Sequence, residues 1–402
     1  MFVIESWYYN LNRILLLICG LWPYEKTKFR YVRAVFILGI LIAYVIYQFN
    51  ILFAYEYNFK LALKICSDIF PAILCTLQFI AFLIKPGEVR GLLDDICKEW
   101  SALKNSTEIE IAKKYGKFTR RLTEVLLLCA ILSWFLLVLM NLIPISINGI
   151  AVANESLLRY DNISIHQFDR ERYILFFIVV FIGVIVITTT TTMVLAYMRH
   201  ICAMLKITCY RIEHSLDENL LHMSISQKNR LMCQKLISAV NIQRRAMKFM
   251  QRALASFKES YFFLIGIGVI SLAINLLHAL QAALFLDNIN ELAISTFYVI
   301  LHFLIIFIGN YGGQTITDHS ADVLKMLYHV QWYMAPIQVQ KLILFLMLRN
   351  TRYFSLVIGG IYVASLEGFI TVRKFIINSW YKYLNNYVNA IVCIAHFTSI
   401  IL

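Results

Sequence analysis

The chain has 402 residues, 60% of them apolar, with a mean hydropathy of +0.69, 15% charged residues and a formal net charge of +13. Soluble domains carry roughly 25% charged residues, so a soluble fold would lack the polar groups to cover its surface. Composition therefore points to a polytopic membrane protein. The basic residues fall in the gaps between apolar runs, where they set topology rather than mark a nucleic-acid partner.

In chain order, the first apolar run, Ile14–Trp22, is short. Glu5 precedes it, and Pro23 and the basic Lys26, Lys28 and Arg30 follow without a small-residue cleavage site, so it reads as an interfacial lead-in and not a cleaved signal. About 20 apolar residues span a bilayer as a helix. Seven segments reach that length: Val32–Phe53, Leu61–Ile84, Val125–Ile147, Tyr173–Tyr197, Tyr261–Leu286, Leu292–Tyr311 and Tyr353–Val372. All are expected to be helical, because lipid cannot satisfy open backbone groups. The run Ile337–Leu348 contains Gln338, Gln340 and Lys341 and is too short and polar to span, so a buried or interfacial helix is expected there.

Lys and Arg fix the orientation. The segment before the first span (with Arg33 counted in it) and the gaps after spans 2, 4 and 6 hold 5, 9, 11 and 4 of them, 29 in all, against 7 in the opposite set. The expected fold class is thus all-α, with seven transmembrane helices, a cytoplasmic N-terminus and an extracellular C-terminus. The sequons at Asn154 and Asn162 lie in a loop assigned outside and are candidate glycosylation sites, whereas Asn105 lies in a loop assigned inside. The long segments Lys85–Glu124 and Arg199–Ser260 carry apolar residues at helical spacing, such as Leu92, Leu93, Ile96 and Trp100, so helices are expected to run on into the cytoplasm.

Catalytic constellations are not apparent, and no enzyme or cofactor is implied. The nine cysteines show no metal-ligand spacing. Asp68 and Glu367 are carboxylates within spans, and Asn275, His278 and Gln281 share one face of span 5; such a face must meet another helix or water. The threonines of Thr188–Thr192 can bond back to their own helix. Aromatic residues fall in the expected outer halves of the spans: Phe70, Trp134, Phe176, Phe177, Phe297 and Tyr298 are the candidate ligand-binding residues. A pocket of aromatic and aliphatic groups suits a small, volatile, apolar ligand; helix packing and interfacial aromatic belts are the alternative account of the same residues.

Two stretches carry a family resemblance. Gly20-Leu21-Trp22-Pro23 precedes the first span. From Ser320 the chain places Leu324, Tyr328, Trp332 and Lys341, then Met347-Leu348-Arg349, Gly359-Gly360 and Ser365-Leu366-Glu367-x-Phe369. With the seven spans, this pattern resembles the insect odorant receptors. The resemblance implies the ligand-binding subunit of a tetrameric, odorant-gated, non-selective cation channel, paired with a shared co-receptor subunit, in the plasma membrane of olfactory neuron dendrites. It also implies that Tyr328, Trp332 and Lys341 belong to a cytoplasmic anchor at the subunit interface, and that Ser365, Glu367 and Phe369 line the pore. The implied units are a cytoplasmic segment 1–31, helices 1–6 with the odorant pocket over 32–311, the anchor over 312–352, the pore helix over 353–372 and an atypical tail over 373–402.

The sequence departs from the family at Arg352-Tyr353, where many members have Lys-Pro, and the match stops at Val372. Val372-Arg373 can be encoded by a splice-donor-like sequence, and the Lys, Phe, Ile, Asn and Tyr that follow are residues of AT-rich codons, so the segment from about Val372 reads as translated intron. The alternatives are an insect gustatory receptor, which would share the topology, and a G-protein-coupled receptor, which the charge bias opposes.

Overall fold

The computed structural model describes residues 9–54, 59–155, 162–216, 225–285, 289–352, 354–358, 362–374 and 377–378. The elements are α1 (Asn10–Ile18), α2 (Lys28–Ala54), α3 (Phe59–Ile84), α4 (Pro86–Ser101), α5 (Ser106–Glu155), α6 (Asn162–Glu213), α7 (Ile225–Phe285), α8 (Ile289–His329), α9 (Ile337–Asn350), the strands β1 (Val357–Ile358) and β2 (Tyr362–Val363), and α10 (residues 366–374). Among the described residues, six helices are long and apolar enough to cross a membrane, and they carry the first six expected spans, the fifth as far as Phe285. The sequon residues Asn154 and Asn162 fall at the end of α5 and the start of α6.

α6 sits at the centre, packed against α5, α7, α8, α3, α2 and α1. α7 has 61 residues, about 90 Å at 1.5 Å per residue, roughly three times the hydrocarbon thickness. The long helices therefore continue past the bilayer as sequence periodicity predicts. Their continuations, with the short helices α4 and α9, hold most of the main core: Leu92 and Ile96 of α4, Ile201 and Leu205 of α6, Leu236 and Ile242 of α7, and Val339 and Ile343 of α9 are all buried. This is the end of the bundle that the charge distribution assigns to the cytoplasm.

Some of the charges there are paired. Glu108 is buried on α5 and receives both Arg211 Nε (2.6 Å) and Arg211 Nη2 (2.8 Å) from α6, while Arg211 Nη1 donates to the Ser238 hydroxyl of α7 at 2.6 Å. This fork fits a carboxylate geometrically and joins three helices at one point. Burial raises the Glu99 carboxyl above its usual range, and Arg245, 3.4 Å away, pulls the other way.

The Gly20-Leu21-Trp22-Pro23 motif is the end of α1. The Leu21 amide donates to Leu16 O (2.8 Å) and the Gly20 amide to Leu17 O (3.1 Å), the paired bonds that close a helix through a left-handed residue. Gly20 is that residue, with φ 69°. A Cβ here would also lie 2.6 Å from the Arg30 carbonyl oxygen. Leu21 and Trp22 are buried in the main core, so the turn docks α1 onto the bundle.

The expected seventh helix over Tyr353–Val372 differs from what forms. Residues 357–358 and 362–363 make an antiparallel hairpin with Val357 opposite Val363, and the helix starts only at residue 366. Val357, Ile358, Tyr362 and Val363 are strand formers, and Gly359-Gly360 is a hairpin-turn signal. The pairing satisfies backbone groups locally, so no helix is needed for those residues. Leu356 and Ala364 at the two ends of the hairpin are buried, joined by Ala364 N donating to Leu356 O at 2.9 Å.

Gly20→Ala is expected to destabilise the fold by about 1–2 kcal/mol from the left-handed backbone alone, with more from the Arg30 clash. A lower thermal midpoint of the purified full chain, with helical content retained, checks this.

Candidate functional site

A cavity of about 470 Å³ runs between α2, α3, α5, α6, α7 and α8 and reaches the β1–β2 hairpin. It falls within the roughly 300–1,000 Å³ of pockets that take small organic ligands. Its wall is mostly aliphatic and aromatic, including Leu41, Leu74, Val179, Ile187, Leu264 and Ile305. The polar exceptions are few, among them Asp68, Gln78, Ser133, Tyr44, Tyr298, His302 and Asn310.

Of the six aromatic residues proposed from sequence, Phe176 and Tyr298 stand in this wall. Phe176 also packs on the small cluster of Leu41, Tyr44, Ala72 and Val179. Phe70 and Phe297 lie on the same helices but outside the wall. Trp134 and Phe177 instead join two helices. The Trp134 indole donates to the Phe177 carbonyl at 3.2 Å, and its ring packs on Phe181 with centroids 5.0 Å apart. Their neighbours one residue or one turn away, Ser133, Leu137 and Val180, face the cavity.

The polar face of α7 meets α8. Ser271 Oγ lies 2.9 Å from His302 Nε2, and Ser295 Oγ lies 2.9 Å from His278 Nδ1. Asn275 donates to its own helix at Ser271 O. The Thr188–Thr192 run mostly bonds back to α6: Thr188, Thr189 and Thr190 each donate four residues back, at 2.7–2.8 Å.

Sequence reasoning missed Asn310. It is buried, and its carboxamide oxygen accepts two bonds, from the Tyr362 hydroxyl (2.6 Å) and the Ser365 amide (3.1 Å). One turn further along α8, Gln314 accepts the Leu366 amide at 3.3 Å. Gly313 lies between them, and a Cβ there would overlap the Ala364 carbonyl, so its lack of a side chain sets how closely α8 and this segment approach. A buried carboxamide in an apolar span is costly unless bonded; that polar interruption of span 6 was the signal available in the sequence. Asn310, Tyr362, Ala364 and Val372 all line the cavity, so its wall is continuous with the start of α10.

The residues assigned to the pore stand at that start. Ser365 Oγ accepts the Gly368 amide at 3.0 Å and caps the helix. Glu367 is exposed in the first turn, where a carboxylate suits the helix dipole. Phe369 packs edge-on against Phe307 of α8, centroids 5.5 Å apart.

The residues assigned to the anchor lie on and before α9. Tyr328 and Lys341 are exposed and Trp332 is half-buried. α9 buries Val339, Ile343, Leu346 and Met347 against the bundle and leaves Ile337, Leu344, Phe345 (63% exposed) and Leu348 uncovered. Ser320 ties this region back: its hydroxyl accepts the Phe354 amide at 3.1 Å.

These features define an α-helical, multi-pass membrane protein built around an apolar ligand-sized cavity. The sequence model of the 7tm odorant receptor family matches residues 58–377, and the chain belongs to that family. The fold is similar to that of the insect olfactory receptor OR5 from Machilis hrabei solved in complex with eugenol. That likeness has a TM-score of 0.72 at 14% identity, over 96% of this chain and 99% of that one. A second structure, described simply as that of the same receptor, matches with a TM-score of 0.72 at 14% identity over 95% and 98%. No curated protein matches the sequence. The family match selects the odorant branch over the gustatory and G-protein-coupled alternatives, and it extends five residues past Val372.

Tyr362→Phe removes one bond to Asn310 and is expected to cost about 0.5–1.5 kcal/mol. Asn310→Ala strands both donors and is expected to cost more, with the double substitution less than additive. Thermal unfolding gives the costs, and hydrogen exchange is expected to show faster amides at residues 362–369 in both variants.

Proposed function

We propose that the chain is the ligand-binding subunit of a heteromeric, odorant-gated, non-selective cation channel in the plasma membrane of olfactory sensory neurons, with its N-terminus cytoplasmic. The observation that carries this reading is the continuity of the apolar cavity with the segment that starts α10. A ligand that fits the cavity better in one arrangement of that segment favours that arrangement in proportion to its differential affinity. The eugenol bound by the similar Machilis hrabei receptor supports a small organic ligand for this cavity. The 29-to-7 distribution of Lys and Arg supports the orientation.

The uncovered face of α9 supports assembly. Ile337, Leu344, Phe345 and Leu348 form an apolar stripe beside Lys341, and such a stripe on a helix outside the bilayer is suited to a protein partner. We assign it to the contact with the co-receptor subunit in a hetero-tetramer. Tyr328 and Trp332 would flank that contact, and Ser365, Glu367 and Phe369 would begin the pore-lining helix. Phe70, Trp134, Phe177 and Phe297 would shape the pocket from behind Phe176 and Tyr298. Asn154 and Asn162 would face the extracellular side, open to glycosylation.

Whole-cell recording during pulses of volatiles tests the reading. A fast cation current that requires both this chain and the co-receptor and survives G-protein blockade is expected; a current abolished by that blockade would overturn it. Phe345→Asp is expected to remove the current and the co-migration of the two subunits on native gels, while the helical content stays unchanged.

A further inference from the structure

Part of the cavity wall carries polar groups that the protein leaves without partners. Of the threonine run on α6, Thr188, Thr189, Thr190 and Thr192 each donate back to their own helix. Thr191 has no hydrogen bond among the described residues, and it is the member of the run that lines the cavity. Gln78 of α3 and Tyr261 of α7 are two further wall residues whose side chains have no hydrogen bond among the described residues. All three side chains are half-buried, and none belongs to the polar atoms that the fold seals off unpaired, such as Tyr197 Oη and His200 Nε2. Their polar atoms are thus open, and the space they line is the cavity.

The three come from three helices at similar depth. Phe82 of α3 stacks on Phe257 of the antiparallel α7, centroids 4.9 Å apart. Gln78 lies one turn before Phe82 and Tyr261 one turn after Phe257, which brings both to one level. Gly183 of α6 marks where α6 meets α3: a Cβ there would stand 3.2 Å from Cys75 Sγ. Counted from that contact along two parallel helices, Gln78 lies roughly one turn and Thr191 roughly two turns further in, toward α4 and α9. Gln78 offers two N–H donors and a carbonyl acceptor, and each hydroxyl both donates and accepts. No Lys or Arg lines the cavity, and Ile187, Val194 and Leu264 make the wall around the three apolar. A polar side chain left open at membrane depth is costly and marks function, and ligand pockets orient their occupants through a few such groups. An anionic ligand would find no counter-charge here, and an acceptor-only ketone or ether would bring no donor to the Gln78 oxygen. A hydroxyl supplies both a donor and an acceptor.

We infer that Gln78, Thr191 and Tyr261 form a polar subsite that takes the hydroxyl of a neutral alcohol or phenol, whose hydrocarbon body lies against the apolar wall. The inference rests on the reading of the cavity as the ligand site and names the ligand class that this part of it selects.

The test uses the full chain in lipid nanodiscs and reads binding alone, independent of any current. The probes are 4-(trifluoromethyl)phenol and 4-(trifluoromethyl)toluene, equal in shape and different in the hydroxyl, followed by fluorine NMR line broadening with empty nanodiscs as the baseline. The phenol is expected to bind roughly three- to tenfold more tightly than the toluene, as for one neutral hydrogen bond. Gln78→Met is expected to remove that preference, to leave the toluene affinity unchanged, and to hold the thermal midpoint without ligand, because no bond within the protein is lost. Ile187→Trp, which fills the cavity, is expected to abolish binding of both probes. Equal affinity for the two probes, equal weakening of both by Gln78→Met, or a lowered midpoint would overturn the subsite and leave the cavity as the ligand site. So would a preference removed by Tyr298→Phe and kept by Gln78→Met. Broadening no greater than in empty nanodiscs, or broadening that survives Ile187→Trp, would overturn both.

Discussion

A backbone or side-chain polar group inside a bilayer has no water to turn to, and each one must find its partner within the protein. That constraint accounts for the long uninterrupted helices and also for where the interruptions fall. The chain leaves helical geometry between α9 and α10, and there a hairpin pairs its own backbone while α8 supplies the rest through Asn310 and Gln314. Without the Asn310 carboxamide, the Ser365 amide and the Tyr362 hydroxyl would both be stranded beside an apolar cavity. One side chain thus holds a non-helical joint at a depth where non-helical backbone is tolerated only when covered.

The six helices were legible as windows of apolar residues, because a span needs length and hydropathy and both are local properties. The helix α4 outside the spans was legible from the spacing of Leu92, Leu93 and Ile96, which are buried in the main core as that spacing requires. The hairpin was not, because Val357 to Val363 is too short for its alternation to stand out against an apolar window. In the site, an aromatic residue that lines a cavity and one that locks two helices look the same in sequence. Phe176 faces the cavity while Phe177, the next residue, offers its carbonyl to Trp134, and only the rotation of α6 separates them. Asn310 is a polar residue in an apolar span that the sequence reading passed over, and its partner Tyr362 lies 52 positions away, a pairing that no local pattern encodes.

The two ends of the molecule are held together by different physics. Toward α4 and α9, buried leucines and isoleucines are joined by charge pairs such as Glu108–Arg211, and burial from water supplies the drive. Within the membrane that drive is absent between helices, and packing with interhelical bonds such as Ser271–His302 takes over. The cavity lies across the boundary of these regimes.

The docking of α1 has a bearing on how the chain is made. Asn12 accepts a bond from Thr123 of α5, and Cys19 meets Thr189 of α6, residues 111 and 170 positions downstream. During synthesis, α1 is therefore made before the helices that supply its binding surface. Leu15, Leu16 and Leu21 are buried in the folded chain, and α1 packs there on α5 and α6. Over that interval an amphipathic segment beside the membrane has the headgroup region as its resting place, so nascent α1 would begin on lipid and be captured by the bundle as its partners arrive.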